Sequence, residues 1–287
     1  IGPGSELIVE QGASMIIQPG ASIDWNDGAI TLEGTLNLDS GVDFSPIGSG
    51  TLTFARDGEI SSQSTGAVRL EQSRVNIKNL QHLTVNLSAV AFNECTLVFY
   101  DKGELKVRSH FDLTNSTIQY EGNKQWAGLS VSANTTSVAH CEFIGGAPAL
   151  SVATNSTFSL ENSTFKNALQ GLKCTATPTS FYANRFYSCT TGAELQSGAM
   201  TIERNLFHGC NQGLVFTAAL KNAPLQLVRN VFSSNTTDGS NITDANVRME
   251  CNDWSYNAIG HMQNGGTLSL GSNAGNIFNS NTTALKF

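Results

Sequence analysis

Ten times between residues 73 and 278 a small polar residue stands two places before a large apolar one. In order the pairs are Ser73/Val75, Cys95/Leu97, Ser116/Ile118, Cys141/Phe143, Ser163/Phe165, Asn184/Phe186, Asn205/Phe207, Asn230/Phe232, Asn252/Trp254 and Asn276/Phe278. The apolar members are 21 to 25 residues apart throughout. A repeat of this length cannot bury its apolar face alone, so each must pack on its neighbours, which is the architecture of a solenoid.

The strand period is written inside each repeat. Phe158, Met200, Leu225 and Val247 stand seven places before the column residue, and Val138, Leu160, Phe181, Ile202, Leu227 and Met249 stand five before it. Ser137, Ser159, Ser180, Thr201, Gln226 and Arg248 separate them, so the alternation is apolar-in, polar-out with period two. A helical repeat would need apolar residues three and four apart and disfavours this density of Ser, Thr, Asn and Gly. Six places beyond the column residue comes a small residue, as at Gly103, Ala149, Gly171, Gly192, Gly213, Gly260 and Ala284, followed by a second apolar strand such as Leu214-Val215-Phe216. Glycine there is expected where the backbone turns sharply with positive φ. The chain therefore reads as all-β, a single-stranded parallel β-helix with right-handed crossovers and about 21–25 residues per rung. Buried Asn side chains in the polar column are expected to bond to one another and to turn backbone.

Residues 1–72 repeat differently, with short strands ending in Gly turns, as in Leu7-Ile8-Val9-Glu10-Gln11-Gly12 and Ile16-Ile17-Gln18-Pro19-Gly20. They read as opening coils of the same solenoid, with 73–287 as its regular rungs. Gly2-Pro3-Gly4-Ser5 has the look of a vector-derived remnant, with the native start expected upstream. The closing Ala284-Leu285-Lys286-Phe287 reads as the second strand of an unfinished rung, so the solenoid is expected to continue into a C-terminal part that supplies the polar cap.

A net charge of −7, with 16 Lys and Arg thinly spread, argues against nucleic acid as a partner. No apolar run approaches the length of a membrane span. Of the six cysteines, Cys95 and Cys141 share a column two rungs apart, about 10 Å, and cannot bridge. Cys189 and Cys210 lie three residues past their column Phe on adjacent rungs. That separation permits a disulfide, although two stacked thiols are the preferred reading, because free Cys behaves as a small apolar core residue.

The Asn-x-Phe ladder from Asn184 to Phe278 and the Gly-led strands after it resemble the right-handed parallel β-helix of the pectin-lyase-like superfamily, over nearly the whole chain. The opening coils resemble those of large secreted or surface proteins of Bacteroidota. That superfamily hosts polysaccharide lyases, polygalacturonases, tail-spike hydrolases and adhesins, so the resemblance implies a fold and leaves the activity to the site.

The candidates for chemistry are few. Asn235-Thr236-Thr237-Asp238-Gly239 and Gly260-His261-Met262 are faintly similar to polygalacturonase motifs, but the paired Asp-Asp is replaced by Asn252-Asp253 and no Arg-x-Lys follows, so acid and base lack occupants. A lyase needs a base and cations that stabilise an enolate-like intermediate. The best outward cluster for that is Glu203, Arg204, Arg229, Arg248 and Glu250, with Tyr182 one rung earlier as a carbohydrate-stacking residue. The bland alternative, a solvated face of paired charges, is preferred. Asp24, Asn26 and Asp27 lack the spacing of a calcium loop, and His82, His110, His140, His208 and His261 lack metal-ligand spacing. His140 and His208 are expected near turns as ordinary polar residues. Asn-x-Ser/Thr triplets at Asn115, Asn134, Asn162, Asn235 and Asn281 are read as turn composition. The Ser137–Thr201 row decays to Gln226 and Arg248, unlike an ice-binding array.

The expectation is a non-catalytic β-helix module of a large extracellular or cell-surface protein, a stalk, adhesin or carbohydrate-binding face. The alternative is a lyase or hydrolase of acidic polysaccharides using the charged stripe. No cofactor or metal is expected. The expected partner is a polysaccharide or another cell-surface protein, with no nucleic acid and no membrane insertion. The module is expected to be monomeric within a larger chain. Asn184, Asn205, Asn230, Asn252 and Asn276 are assigned to a structural ladder, together with Phe143, Phe165, Phe186, Phe207, Phe232, Trp254 and Phe278.

Overall fold

A computed structural model describes the chain except residues 63–64, 79–81, 86, 101–102, 109, 122–127, 154–156 and 272–274, and the side chains of 82–85. The side chain of His82 is thus outside the described residues. All regular structure among the described residues is β, and every pairing between strands is parallel. The chain divides into two compact units, Ile1–Glu142 and Phe143–Phe287.

In the first unit one sheet carries the apolar ladder, here called the column sheet. Its strands Glu6–Val9, Ala29–Leu32, Thr51–Phe54, Arg74–Ile77, Thr96–Tyr100 and Thr117–Glu121 pair in that order. A leading sheet precedes it in each later turn (Ala67–Glu71, Ala89–Asn93, His110–Thr114, Thr135–Ala139), and a trailing sheet follows it (His82–Val85, Glu104–Val107, Gly128–Val131). The earliest turns instead carry a three-stranded sheet of Ser14–Ile17, Thr35–Leu38 and Glu59–Ser62.

The column sheet includes the opening coils. Leu7, Ile30 and Leu52 lie in register with Val75, Leu97 and Ile118, so the apolar column begins three turns before the first pair read from the sequence. Ser5 precedes Leu7 by two places as in the later turns, but Gly28 and Gly50 stand at that position before Ile30 and Leu52, and Trp25 fills the space there. The indole is fully buried, donates to the Gly28 carbonyl at 2.6 Å, and lies so close that a Cβ on Gly50 would fall 1.9 Å from Nε1.

The second unit repeats the same three faces with a shorter column strand. Thr164–Lys166, Arg185–Tyr187, Leu206–His208, Val231–Ser233, Asp253–Ser255 and Ile277–Asn279 are three residues each. Six successive stacks run from Phe143 through Phe165, Phe186, Phe207, Phe232 and Trp254 to Phe278, with centroids 4.5–5.2 Å apart and planes within 9°. Parallel strands in register set a spacing of about 4.8 Å, which is also the distance at which rings stack, so one residue type is favoured at every turn. The leading strands alternate as read, with Met200, Ile202, Leu225 and Leu227 buried and Thr201 and Gln226 exposed.

Positive φ is placed differently from the sequence expectation. Gly171, Gly192, Gly213, Gly239 and Gly260 do not adopt it; each is glycine because a Cβ would meet the carbonyl of the next turn at 2.4–2.7 Å. The left-handed corners instead fall one residue before the ladder, at Glu94, Asn115, His140, Asn162, Ala183, Arg204, Arg229 and Cys251, all with φ of 49–57°. From Gly145 onward a second corner of the same kind follows the column residue by two, at Asn167, Ser188, Gly209, Ser234, Tyr256 and Ser280. The shortened column strand and the change from aliphatic to aromatic residues coincide with this second corner.

Each corner turns peptide groups inward, and the ladder residue satisfies them. Oδ1 of Asn184, Asn205, Asn230, Asn252 and Asn276 accepts from the backbone N–H of the ladder residue one turn earlier at 2.8–3.0 Å. Nδ2 donates to the earlier leading strand, from Asn184 to Leu160, Asn230 to Ile202, Asn252 to Leu227 and Asn276 to Met249. In the first unit Ser116 Oγ accepts from Cys95 N at 3.0 Å, and the Cys95 and Cys141 thiols donate to Leu70 and Leu113.

A second ladder, not identified from the sequence, lines the second corner. Asn235, Asn257 and Asn281 donate to the carbonyls of Phe207, Phe232 and Trp254, and Cys189 and Cys210 occupy the same position, with Sγ facing the Phe165 and Phe186 carbonyls. Both cysteines are buried free thiols. They serve as weak donors in a polar column and are not merely apolar filler. Asn235, read as turn composition, is 1% exposed and committed to this ladder.

Candidate functional site

The charged stripe is built by the first corner of the second unit. Tyr182, Glu203, Val228 and Glu250 are in register at the ends of successive leading strands. Arg204 and Arg229 follow at the left-handed position, where the side chain is thrown outward. Arg204 lies over the Tyr182 ring, 5.6 Å from its centroid, and its Nη1 donates to the Tyr182 hydroxyl at 2.5 Å. Glu203 Oε1 lies 3.6 Å from Arg204 Nε and 3.3 Å from Arg229 Nη1. Tyr182, Glu203, Arg204 and Arg229 are thus one cluster on three turns. Arg248 and Glu250 pair with each other, and Val228 stands between Glu250 and Glu203.

The arginine side chains are 52–60% exposed. Ion pairs so wetted contribute about 0.2–1 kcal/mol each. Glu203 and Glu250 are two turns apart, about 10 Å at the sheet spacing, and each is engaged by arginine. The corner explains the arginines' placement as well as a site would, since Glu94 and Ala183 take the same backbone conformation.

The other sequence candidates separate. His261 is fully buried, with Nδ1 2.8 Å from Ser240 Oγ and Nε2 3.2 Å from Gln263 Oε1. Trp254 Nε1 donates to the same Ser240 oxygen at 3.0 Å. Burial pushes the His261 pKa down to about 4, opposed by the Gln263 hydrogen bond, so the imidazole is a neutral interior group that no polymer can reach. His208 ends a column strand with Nδ1 2.9 Å from Ser233 Oγ, and His140 sits at a left-handed corner, both as ordinary polar residues. Asp27 accepts from Ser49 Oγ at 3.1 Å. Burial raises the Cys141 thiol to about 11 and Cys174 to about 12, which suppresses thiolate chemistry at either.

The first unit holds an open groove of about 750 Å³ on the outer face of its column sheet, which sequence reading did not find. Ile8, Thr31 and Thr53 form one row in register, and Glu10, Glu33, Ala55 and Lys78 form the next row, one residue past the strand ends. Arg56 reaches Glu33 at 3.4 Å and Gln11 at 3.3 Å, Gln11 donates to Asp57 at 3.0 Å, and Thr31 donates to Glu6 at 2.5 Å. A second groove of about 590 Å³ shares Gln11 and Glu33 and turns over the three-stranded sheet. Beyond Thr53 the row continues into Asn76, 7% exposed, which donates to Thr53 at 3.3 Å and accepts from Arg74. The missed signal was the run of column steps from Leu7 through Ile30 and Leu52 to Val75, which brings these residues into rows.

No curated protein and no solved structure matches the chain. The family described as "Right handed beta helix region" matches residues 104–283. Parallel three-faced turns, corner-bound polar ladders and that match agree, and the chain belongs to the right-handed β-helix family.

Proposed function

We infer that the chain is a non-catalytic β-helix module of a large extracellular or cell-surface protein, of the kind built by secreted bacterial proteins, and that its outer faces bind glycan or a partner's surface. The observation that carries this reading is the state of the best catalytic candidate: Glu203 is held between Arg204 and Arg229 on a wetted outer face. A general base must be placed to take a proton from substrate, and this carboxylate is already engaged by two cations. The interior ladder asparagines are likewise bound to the backbone of neighbouring turns.

A lyase reading draws support from one contact, the Arg204 guanidinium on the Tyr182 hydroxyl, because a cation-supported phenol can exchange a proton with a sugar. The two readings part on a panel of uronate polysaccharides, followed by absorbance of the unsaturated product. The module reading expects no turnover. Turnover that disappears in Arg229→Ala sinks it.

A further inference from the structure

The geometry points to the groove of the first unit as a binding site for a neutral, linear oligosaccharide lying along the turns. This rests on the glycan-binding part of the reading above and names the face and the ligand class.

Three features carry it. First, the groove repeats with the solenoid. Ile8 and Thr31 in one row and Glu10, Glu33 and Ala55 in the next present contacts at about 4.8 Å from turn to turn, with Thr53, 5% exposed, beneath them in the floor; that spacing matches a polymer whose units repeat on the scale of one pyranose ring. Second, its polar groups are of the type that binds hydroxyls and already bond to one another across the turns. Arg56 bonds to Glu33 and Gln11, Gln11 donates to Asp57, and Thr31 donates to Glu6. Ile8, 51% exposed, offers an apolar patch for a ring face.

Third, charge selects the class. The two connected grooves are lined by carboxylates at Glu6, Glu10, Glu33, Asp57 and Glu59, against the cations Arg56 and Lys78. An excess of carboxylates repels uronate chains and nucleic acid, while neutral hydroxyls accept from and donate to such groups freely. An extended peptide lying across this face is disfavoured because Ala29–Leu32 and Thr51–Phe54 are paired on both sides, and strand addition needs an edge, which here is offered only by Glu6–Val9 at one end of the groove.

The test is calorimetric titration of the whole chain with neutral gluco-, manno- and xylo-hexaoses, an oligogalacturonate of equal length, and hexalysine. One neutral hexaose is expected to bind, with the oligogalacturonate at least about ten-fold weaker. Glu33→Ala and Arg56→Ala, both on wetted side chains, are expected to weaken binding by about ten-fold or more, while Arg229→Ala in the second unit leaves it unchanged. Tighter binding of the oligogalacturonate overturns the inference and leaves the glycan-binding reading intact. Hexalysine displacing the hexaose overturns the assignment to sugar. Binding that survives both groove variants overturns the assignment to this groove. No binding of any saccharide removes both the inference and the glycan-binding reading.

Discussion

Replacing Asn230 by alanine tests the ladder at a fully buried rung. Asn230 Oδ1 accepts from the Asn205 N–H at 2.9 Å, and its Nδ2 donates to the Ile202 carbonyl at 2.7 Å. The truncation strands both backbone groups in an interior where Asn230 itself is 0% exposed. Its side-chain neighbours fare better: Asn205 Nδ2 keeps the Phe181 and Glu203 carbonyls, and Asn252 Oδ1 keeps the Asn230 N–H. At about 1–3 kcal/mol for each stranded group, the loss is about 2–6 kcal/mol. Serine at the same position should recover part of it. Ser116 shows how, accepting the Cys95 N–H of the earlier turn while its own proton goes to Thr114. Asn230→Ser then leaves only the Ile202 carbonyl without its partner, a loss of about 1–3 kcal/mol. Urea unfolding followed by fluorescence of Trp254, which stacks on Phe232, reads the difference in the second unit, with a common slope required for the comparison. Hydrogen exchange at the Asn205 amide gives the site-specific readout. An alanine variant within about 0.5 kcal/mol of the parent, or a serine variant no better than alanine with an equally unprotected Asn205 amide, refutes the account.

Corner and glycine positions should respond in opposite ways. Gly213→Ala drives a Cβ to 2.4 Å from the Gly239 carbonyl and should cost about 1–3 kcal/mol or more in the same urea assay, whereas Ala183→Gly, at φ 55°, should lie within about 1 kcal/mol of the parent. Stability should fall with acid through His261. Its folded pKa near 4 lies below the unfolded 6.5, so the unfolded state binds the extra proton, and about 3 kcal/mol is lost as pH falls from 6.5 to 4. His261→Gln should flatten that part of the pH profile, and an unchanged slope would count against a neutral buried imidazole. Thiol labelling of the native protein should modify exposed Cys251 alone, and all six cysteines should react once urea unfolds the chain; native labelling of Cys189 or Cys210 would contradict their place in the second ladder. Arg229→Ala should change stability by less than about 1 kcal/mol, since its pair with Glu203 is wetted.

The period of Ser163/Phe165 through Asn276/Phe278 was enough to determine a parallel solenoid, its inward column and the polar ladder beside it, because register in a parallel coil repeats any favourable residue one turn on. The alternation of Met200, Thr201 and Ile202 determined which side faces in. Three matters were decided only by the tertiary structure. The glycines after each column strand are required by the carbonyl of the next turn, a contact between residues some 21–26 positions apart that no local turn rule contains. Asn235, Asn257 and Asn281 look like ordinary turn residues until the second left-handed corner turns the Phe207, Phe232 and Trp254 carbonyls inward and gives them a task. The groove of the first unit depends on strands Glu6–Val9, Ala29–Leu32 and Thr51–Phe54 being in register, so that Glu10, Gln11, Thr31, Glu33 and Arg56, scattered along the chain, share one surface. Inward positions repeat because packing and hydrogen bonding repeat at every turn, and that made them legible. Outward positions answer only to what they meet in solution, so their rows emerge once the coil is wound.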